Sequence, residues 1–261
     1  MIIEKLRLKY KIGVLSKNLS INIYKKINST NTQARLYAEY NRCGNAVFIA
    51  SEQTKGRGRL GRSFVSSKNK GLYLSILLNQ KLPPEFATAL TTYMAVIASR
   101  AIYTVSGVQP KIKWVNDLYL GGKKCAGILT EGKTSESGKT LDYAVVGIGI
   151  NLLRQDFPED VKNIATTLED ESGKRIKKID LAARIITEFF DNLHLVASRE
   201  IAEEYKSRSF LTGEKVTVIK PTLEYEATVK DITDKCELVL TLKDGTEEIL
   251  STGEVSVRQK T

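Results

Sequence analysis

The sequence predicts an α+β protein in two parts. Residues 1–211 read as a domain of strands and helices, and residues 212–261 as a small all-β module. Three observations carry this. Apolar runs of strand length, Ala46–Ala50, Leu72–Leu78 and Leu141–Leu152, alternate with helical stretches that open near Thr30, after Pro84 and near Asp180. Past Thr212-Gly213 the pattern changes to short alternating strands separated by turn residues. The chain has 261 residues and is 42 % apolar, enough to bury a sizeable core in one large domain or in a main domain with a small appendage.

In chain order, residues 1–28 are basic, with Lys5, Arg7, Lys9, Lys11, Lys17, Lys25 and Lys26 against Glu4 alone. Ile21-Asn22-Ile23-Tyr24 alternates and reads as a strand. Thr30 with Gln33 three residues later forms a capping box, so a helix is expected to start there. Tyr37, Ala38 and Tyr40 give that helix one face, and Gly44 ends it. A helix N-terminus carrying Ser29, Thr30 and Asn31 offers hydroxyls, an amide and orphan N–H donors to a ligand. Cap chemistry alone explains these residues equally well.

The run Ala46–Ala50 delivers the chain to Gln53-Thr54-Lys55-Gly56-Arg57-Gly58-Arg59-Leu60-Gly61-Arg62. Glycine at this density costs too much chain entropy to hold a helix or strand. A cationic, glycine-rich loop has the composition of a flap that orders over an anionic ligand, or of a solvated surface loop. The stretch also matches the dinucleotide pattern G-x-G-x-x-G, but residues 63–71 continue as loop where that motif requires a helix.

Leu72–Leu78 is a strand, Pro83-Pro84 breaks the chain, and residues 85–106 read as a mostly buried helix. From Lys111 to Leu129, two strand-like runs flank Gly121-Gly122, a two-residue hairpin turn. That turn sets Leu120 opposite Lys123 and Tyr119 opposite Lys124. Asp117 then shares a face with Lys124, diagonally, at roughly 7–8 Å between backbones. An acid and a lysine beside Asn116 and the sole tryptophan, Trp114, make a polar site or a surface ion pair. Residues 127–134 match the P-loop pattern, but Ile128-Leu129-Thr130 reads as the strand itself and Ser135–Gly138 as a hairpin loop.

Leu141–Leu152 is a strongly apolar strand ending in Gly149-x-Asn151. The glycine permits close backbone approach and Asn151 can meet a ligand, while a β-bulge with a turn asparagine is the plain alternative. Thr166-Thr167-Leu168 leads to a charged loop. Asp180 caps a helix with apolar positions at Leu181, Ile185, Phe189 and Leu193, and His194 lies on it without a serine or cysteine partner. In the last part, residues 216–218, 224–229, 237–242 and 254–258 are short strands, with Asp244-Gly245 as a turn, giving a barrel-like module of about 50 residues.

Composition narrows the function classes. No apolar run approaches the roughly 20 residues of a membrane span. Cys43, Cys125 and Cys236 are far apart with no C-x-x-C pair, which points to a reducing, cytoplasmic compartment and no zinc site. One histidine excludes a multi-histidine metal centre. The net charge of +10 fits anionic small molecules, an acidic protein partner or nucleic acid.

Taken together, Ser29-Thr30-Asn31, Gln53, the glycine-arginine loop, Lys113–Leu118, Lys124-x-x-Gly127 and Gly147-x-Gly149-x-Asn151 resemble the biotin–protein ligases, or biotin–[acetyl-CoA-carboxylase] ligases. The likeness covers about residues 20–261. Val115 departs from the family's usual proline, Leu60 from a common third arginine, and Phe64 from a frequent tryptophan. The resemblance implies a mixed sheet packed by helices, like the class II aminoacyl-tRNA synthetases, then an SH3-like domain from residue 212. It implies that residues 1–211 bind biotin and ATP. Ser29, Thr30, Asn31, Gln53, Arg57, Gly58, Arg59, Lys124 and Gly127 match the biotin pocket, with Lys124, Arg57 and Arg59 as the catalytic cations. Trp114, Asn116, Asp117, Asn151 and Arg258 match positions near the nucleotide. Mg2+ would accompany ATP, near Asp117.

The implied reaction joins biotin to ATP as biotinyl-5′-AMP and passes the biotinyl group to a lysine of a biotin carboxyl carrier protein. Both first reactants are anions, which is what clustered arginine and lysine serve. A lipoate–protein ligase shares the adenylation logic; the arginine-rich loop and Asn116-Asp117 argue against it. A basic nucleic-acid-binding module is the alternative from another class. No membrane partner and no sequence-specific DNA are expected, because Ser29 follows only 28 residues and a winged helix-turn-helix needs on the order of 60. A homodimer is compatible with the sequence, which leaves the oligomeric state open.

Overall fold

The computed structural model describes all residues except 41–43, 221–222, 252–253 and 258–261, and of the last strand only the side chain of Val255. A seven-stranded sheet runs in the order β1-β2-β3-β7-β6-β5-β4. Its strands are β1 (Ser20–Tyr24), β2 (Ala46–Ala50), β3 (Gly71–Leu78), β4 (Lys111–Lys113), β5 (Asp117–Leu120), β6 (Lys123–Thr134) and β7 (Leu141–Asn151). β1 and β2 are parallel and every other pair is antiparallel, so the sheet is mixed, as expected.

Alternation along the central strands sorts side chains onto two faces. Val47, Ile49, Leu72, Leu74, Ile76, Ala144, Val146, Ile148 and Ile150 join one buried cluster. It is covered by α3 (Phe86–Ser106), α5 (Lys178–Asp191), α6 (Arg199–Arg208) and α1 (Ile2–Ile12). Ala46, Phe48, Leu77, Tyr143 and Val145 point the other way, against Ala34 and Ala38 of α2 (Thr30–Glu39). That second face also carries Ser75, Gly147 and Gly149, by the same period of two. Helical cover there extends over one end of the sheet only, so the face beyond α2 is open to form a cavity.

The β5–β6 hairpin keeps the expected pairs at its tip, Leu120 with Lys123 and Tyr119 with Lys124. A bulge at Cys125 then shifts the register, so Leu118 pairs Ala126 and Asp117 pairs Gly127. The peptide bond between Trp114 and Val115 is cis. Residues 127–134 lie wholly in β6, which disposes of the P-loop match.

Residues 215–257 form a five-stranded antiparallel sheet ordered β11-β10-β9-β8-β12. These strands are β8 (Lys215–Lys220), β9 (Leu223–Ile232), β10 (Leu238–Thr241), β11 (Glu247–Leu250) and β12 (Glu254–Val257). Their buried side chains, Val216, Val218, Val229 and Leu240 among them, are continuous with the main core. Trp114 donates its indole N–H to the Cys236 carbonyl at 2.8 Å, across that junction.

Several local expectations need correction. The N-cap of α2 is Ser29, not Thr30, and neither hydroxyl caps the helix. The helix stops at Glu39, before Gly44, and residues 41–43 lie outside the described residues. Asp180 is not a cap: Lys177 holds that place and Asp180 pairs with Lys11 at 3.1 Å. His194 sits in a short 3-10 turn past α5, exposed, rather than on the helix. β7 pairs with β3 without a register shift through Gly149 and Asn151, so no bulge is present there. Three helices were not foreseen: α1, α6 and the short α4 (Leu168–Ser172). In α6 charged residues dominate the outer face and mask the buried Ile201 and Tyr205; in α1 Ile2, Ile3, Leu6 and Tyr10 are exposed among the lysines, so the buried Leu8 and Ile12 form no clear apolar stripe.

Candidate active site

Three glycines hollow the open face of the sheet. Gly127 lies opposite Gly149, and Gly147 lies opposite Leu129. A Cβ on Gly147 would stand 2.0 Å from Asn31 Oδ1, and one on Gly149 would stand 2.5 Å from the Phe64 ring. Any side chain at either position would displace the wall residue above it. The result is a cavity of about 120 Å³ between the α2 N-terminus, the glycine-arginine loop, and strands β5, β6 and β7.

Its polar wall is built by the N-terminus of α2, where the polar groups of Thr30 and Asn31 are engaged. Gln53 Oε1 accepts from the Thr30 backbone N–H at 2.8 Å and from the Thr30 hydroxyl at 3.0 Å. A side chain from beyond β2 therefore satisfies the helix end that a capping box would have served. Gln53 Nε2 donates to Ser66 Oγ at 3.0 Å, which ties the segment leaving the loop to the same point. The Ser75 hydroxyl, fully buried, lies 2.6 Å from Asn31 Oδ1 and 2.7 Å from Thr30 Oγ1. Asn31 Nδ2 donates to the Leu129 carbonyl at 3.2 Å and to Glu131 Oε2 at 2.8 Å. Ser29, Thr30 and Asn31 are each buried. Buried groups so paired hold one orientation, which suits recognition of a ring with fixed donors and acceptors.

The cationic wall faces it. Arg57 Nη1 pairs with Glu131 Oε1 at 3.0 Å. Arg59 Nη1 donates to Asn116 Oδ1 at 3.3 Å, and Asn116 Nδ2 donates to the Ile128 carbonyl at 2.8 Å. Lys124 Nζ sits 2.7 Å from Asp117 Oδ1. The loop closes on itself through Gly58 N–H to the Arg62 carbonyl at 2.7 Å and Phe64 N–H to the Gly56 carbonyl at 3.0 Å. Neighbouring groups stay neutral. Burial, with the Asp117 charge second, pushes the Tyr119 phenol up to about 12. Burial likewise raises the Cys125 thiol far above its ordinary value, so this neighbour of Lys124 is no thiolate nucleophile.

Of the residues singled out from sequence, Ser29, Thr30, Asn31, Gln53, Arg57, Gly58, Arg59, Asn116, Asp117, Lys124 and Gly127 all line this cavity. Two do not. Trp114 is spent on the Cys236 carbonyl, and Asn151 is buried with its amide on the Thr166 carbonyl at 3.1 Å. Arg258 lies outside the described residues. Sequence reasoning missed Ser75 and Glu131. Ser75 had a signal, being the one polar residue in Leu72–Leu78. Glu131 shares the face of Gly127 and Leu129 by the period of two, but a misleading P-loop match covered it. Among the described residues, no group of three His, Cys, Asp or Glu side chains could hold a metal ion, and Asp117 is committed to Lys124. No helix is long and apolar enough to cross a membrane.

Comparison with known proteins bears on this arrangement. Residues 23–151 match the biotin/lipoate A/B protein ligase family, and residues 212–258 match the biotin protein ligase C-terminal domain. The bifunctional ligase/repressor BirA of Bacillus spizizenii is 35% identical over 186 residues, 70% of this chain and 56% of that protein. The chain thus spans little more than half the length of that relative. The biotin–[acetyl-CoA-carboxylase] ligase of Mycobacterium tuberculosis is 30% identical over 80% of this chain and 77% of its own. The biotin protein ligase of Aquifex aeolicus in complex with biotin and ATP superposes with a TM-score of 0.78. It is 28% identical and covers 92% of this chain and 99% of that one. With both family models in order along one chain, and a relative matched over most of its length, this chain belongs to the biotin protein ligase family.

Proposed function

We propose that this protein is an ATP-dependent ligase that activates biotin as biotinyl-5′-AMP and transfers the biotinyl group to a lysine of a biotin carboxyl carrier protein. One observation carries the reading: three cations, each held by an acceptor on the wall, face a hydrogen-bonded amide and hydroxyl cluster across a single cavity. The Aquifex relative solved with biotin and ATP supports that choice of substrates. Residues 1–211 are the catalytic unit and residues 212–261 the appended module on this reading.

Biotin's ureido ring would lie against Thr30, Asn31 and Gln53, with its carboxylate toward Lys124 and the loop arginines. A carboxylate oxygen attacks the α-phosphorus of ATP. The new P–O bond forms as the bond to pyrophosphate breaks, giving a mixed anhydride. Both reactants carry negative charge, and Lys124, Arg57 and Arg59 offset it. Asp117, Glu131 and Asn116 hold those cations in position beforehand, so little reorganisation is needed when charge develops. Magnesium would be supplied with ATP and would offset phosphate charge, since no cluster of carboxylates among the described residues is placed to hold it. In the second half-reaction the carrier lysine's ε-amine, once it has lost a proton, attacks the acyl carbon and AMP leaves. The closed loop excludes water from the anhydride until then.

ATP–pyrophosphate exchange run in parallel with biotin and with lipoate is the test. Exchange dependent on biotin is the expected result; lipoate-dependent exchange, or none, overturns the reading. We further propose that the protein works in a reducing cytoplasm and that these residues read no DNA sequence. A preference of several orders of magnitude for a biotin-gene promoter over scrambled DNA at physiological salt would refute the latter.

A further inference from the structure

In the reaction above Glu131 serves only to hold Arg57, yet its carboxylate joins the two walls of the cavity. Oε2 accepts from Asn31 Nδ2 at 2.8 Å. Oε1 pairs with Arg57 Nη1 at 3.0 Å and lies 3.7 Å from Arg35 Nη1 on α2. The Glu131 side chain is 16% exposed, whereas that of Arg57 is 44% exposed. Most of the surface of this acid is thus removed from water while its partner on the loop remains half in it. β6 is a central strand of the sheet, so Glu131 stands on a rigid base. Arg57 stands on a glycine-rich loop that closes on itself through the Gly58–Arg62 and Phe64–Gly56 backbone bonds and reaches other elements through Lys55 to Asn28 and Arg59 to Asn116.

Each contact has a consequence. With Glu131 and the Leu129 carbonyl taking both protons of the Asn31 amide, Oδ1 is left toward Ser75 and Gly147. The amide cannot flip without placing N–H donors against the Ser75 hydroxyl and a carbonyl against the carboxylate. With Arg57 held, the glycine-rich segment is drawn down over the cavity.

We propose that Glu131 is a positioning residue that couples closure of the glycine-arginine loop to the orientation of Asn31 in the substrate pocket. This rests on the ligase reading above for its substrate. Glu131 touches neither substrate nor reacting atoms; it acts through Arg57 on one side and Asn31 on the other.

Two substitutions separate the two arms. Glu131→Gln keeps an acceptor for Asn31 but removes the charge that holds Arg57. Glu131→Ala removes both. Hydrogen exchange of the ligand-free protein is measured over residues 55–63, with thermal unfolding as the folding control. Glu131→Gln is expected to lower protection of that loop about fivefold, the size of a partly exposed ion pair. It is expected to leave the sheet's protection unchanged and to release more free adenylate at a nearly unchanged KM for biotin. Glu131→Ala is expected to raise that KM about tenfold in addition. Arg57→Ala gives the loop effect by itself, and Arg57→Ala with Glu131→Gln gives no more than either alone. Parental exchange rates in Glu131→Gln, additive effects in the double variant, or a loss of protection spread evenly over the sheet would each overturn the proposal. If the parent protein forms no adenylate, the ligase reading fails. The exchange comparison, which needs no substrate, still decides the role of Glu131.

Discussion

Single atoms decide much of this site. Lys124 is the cation whose position is most tightly set, 2.7 Å from Asp117 on the neighbouring strand. Lys124→Ala is expected to slow single-turnover formation of biotinyl-AMP by about a hundredfold or more, the size of losing one preorganised charge. An unchanged rate would remove it from the chemistry. Gly147 offers a steric counterpart. Because a Cβ there would stand 2.0 Å from Asn31 Oδ1, Gly147→Ala must push Asn31 off Ser75. Biotin affinity measured by calorimetry should fall by about tenfold or more, the cost of one misplaced buried hydrogen bond. Binding equal to the parent's would show that the wall can give way.

Among the elements, the glycine-arginine loop is the one whose state should change. It is seen closed, tied by Arg57 to Glu131 and by Arg59 to Asn116. Lys55, Arg57, Leu60, Gly61, Arg62 and Ser63 are exposed, which places the loop at the low end of local stability. Residues 55–67 should exchange faster without ligand than with biotinyl-AMP bound, and equal protection in the two states would exclude a flap. Arg59→Gly severs the tie to Asn116 at the rim. Free biotinyl-AMP should then accumulate in solution and label bystander lysines, detected by avidin blotting of an added inert protein. The α2 N-terminus is a rigid counterpart, because Gln53 (itself held by Ser66), Ser75 and Glu131 brace it from other elements.

For the molecule as a whole, the C-terminal sheet is held to the main domain through a shared core and a buried hydrogen bond. Trp114→Phe keeps one aromatic ring but removes the indole N–H and the fused ring's volume, leaving the Cys236 carbonyl unpaired beside a small cavity. It should cost about 2–4 kcal/mol of stability, read as a lowered unfolding midpoint in denaturant. An unaltered midpoint would mean that water replaces the donor. The net charge of +10 should steer anionic ligands and an acidic carrier surface toward the enzyme. The association rate with carrier would then fall with added salt.

The strands β1, β2, β3 and β7, the helix α3, the hairpin turn at Gly121-Gly122 and the all-β character of the last part were legible in the chain itself. Hydrophobic period and turn glycines act locally, and each of these segments obeys its own pattern. The glycine-arginine loop was legible for the same reason, since glycine density and charge are properties of ten consecutive residues. Much of the cavity list also followed from sequence, because the resemblance set motifs in order. What only the tertiary structure decided is which polar atoms meet. Gln53 replaces a local cap on α2 from 23 residues away. Ser75 reaches Asn31 across 44. Glu131 reaches Asn31 across 100. The bulge at Cys125 moves Asp117 beside Gly127, and Trp114 turns to the far domain while Asn116, two residues on, stays in the pocket. Each of these depends on strand order and register, which bring distant segments to one face of a sheet, and no local period along the chain encodes that order.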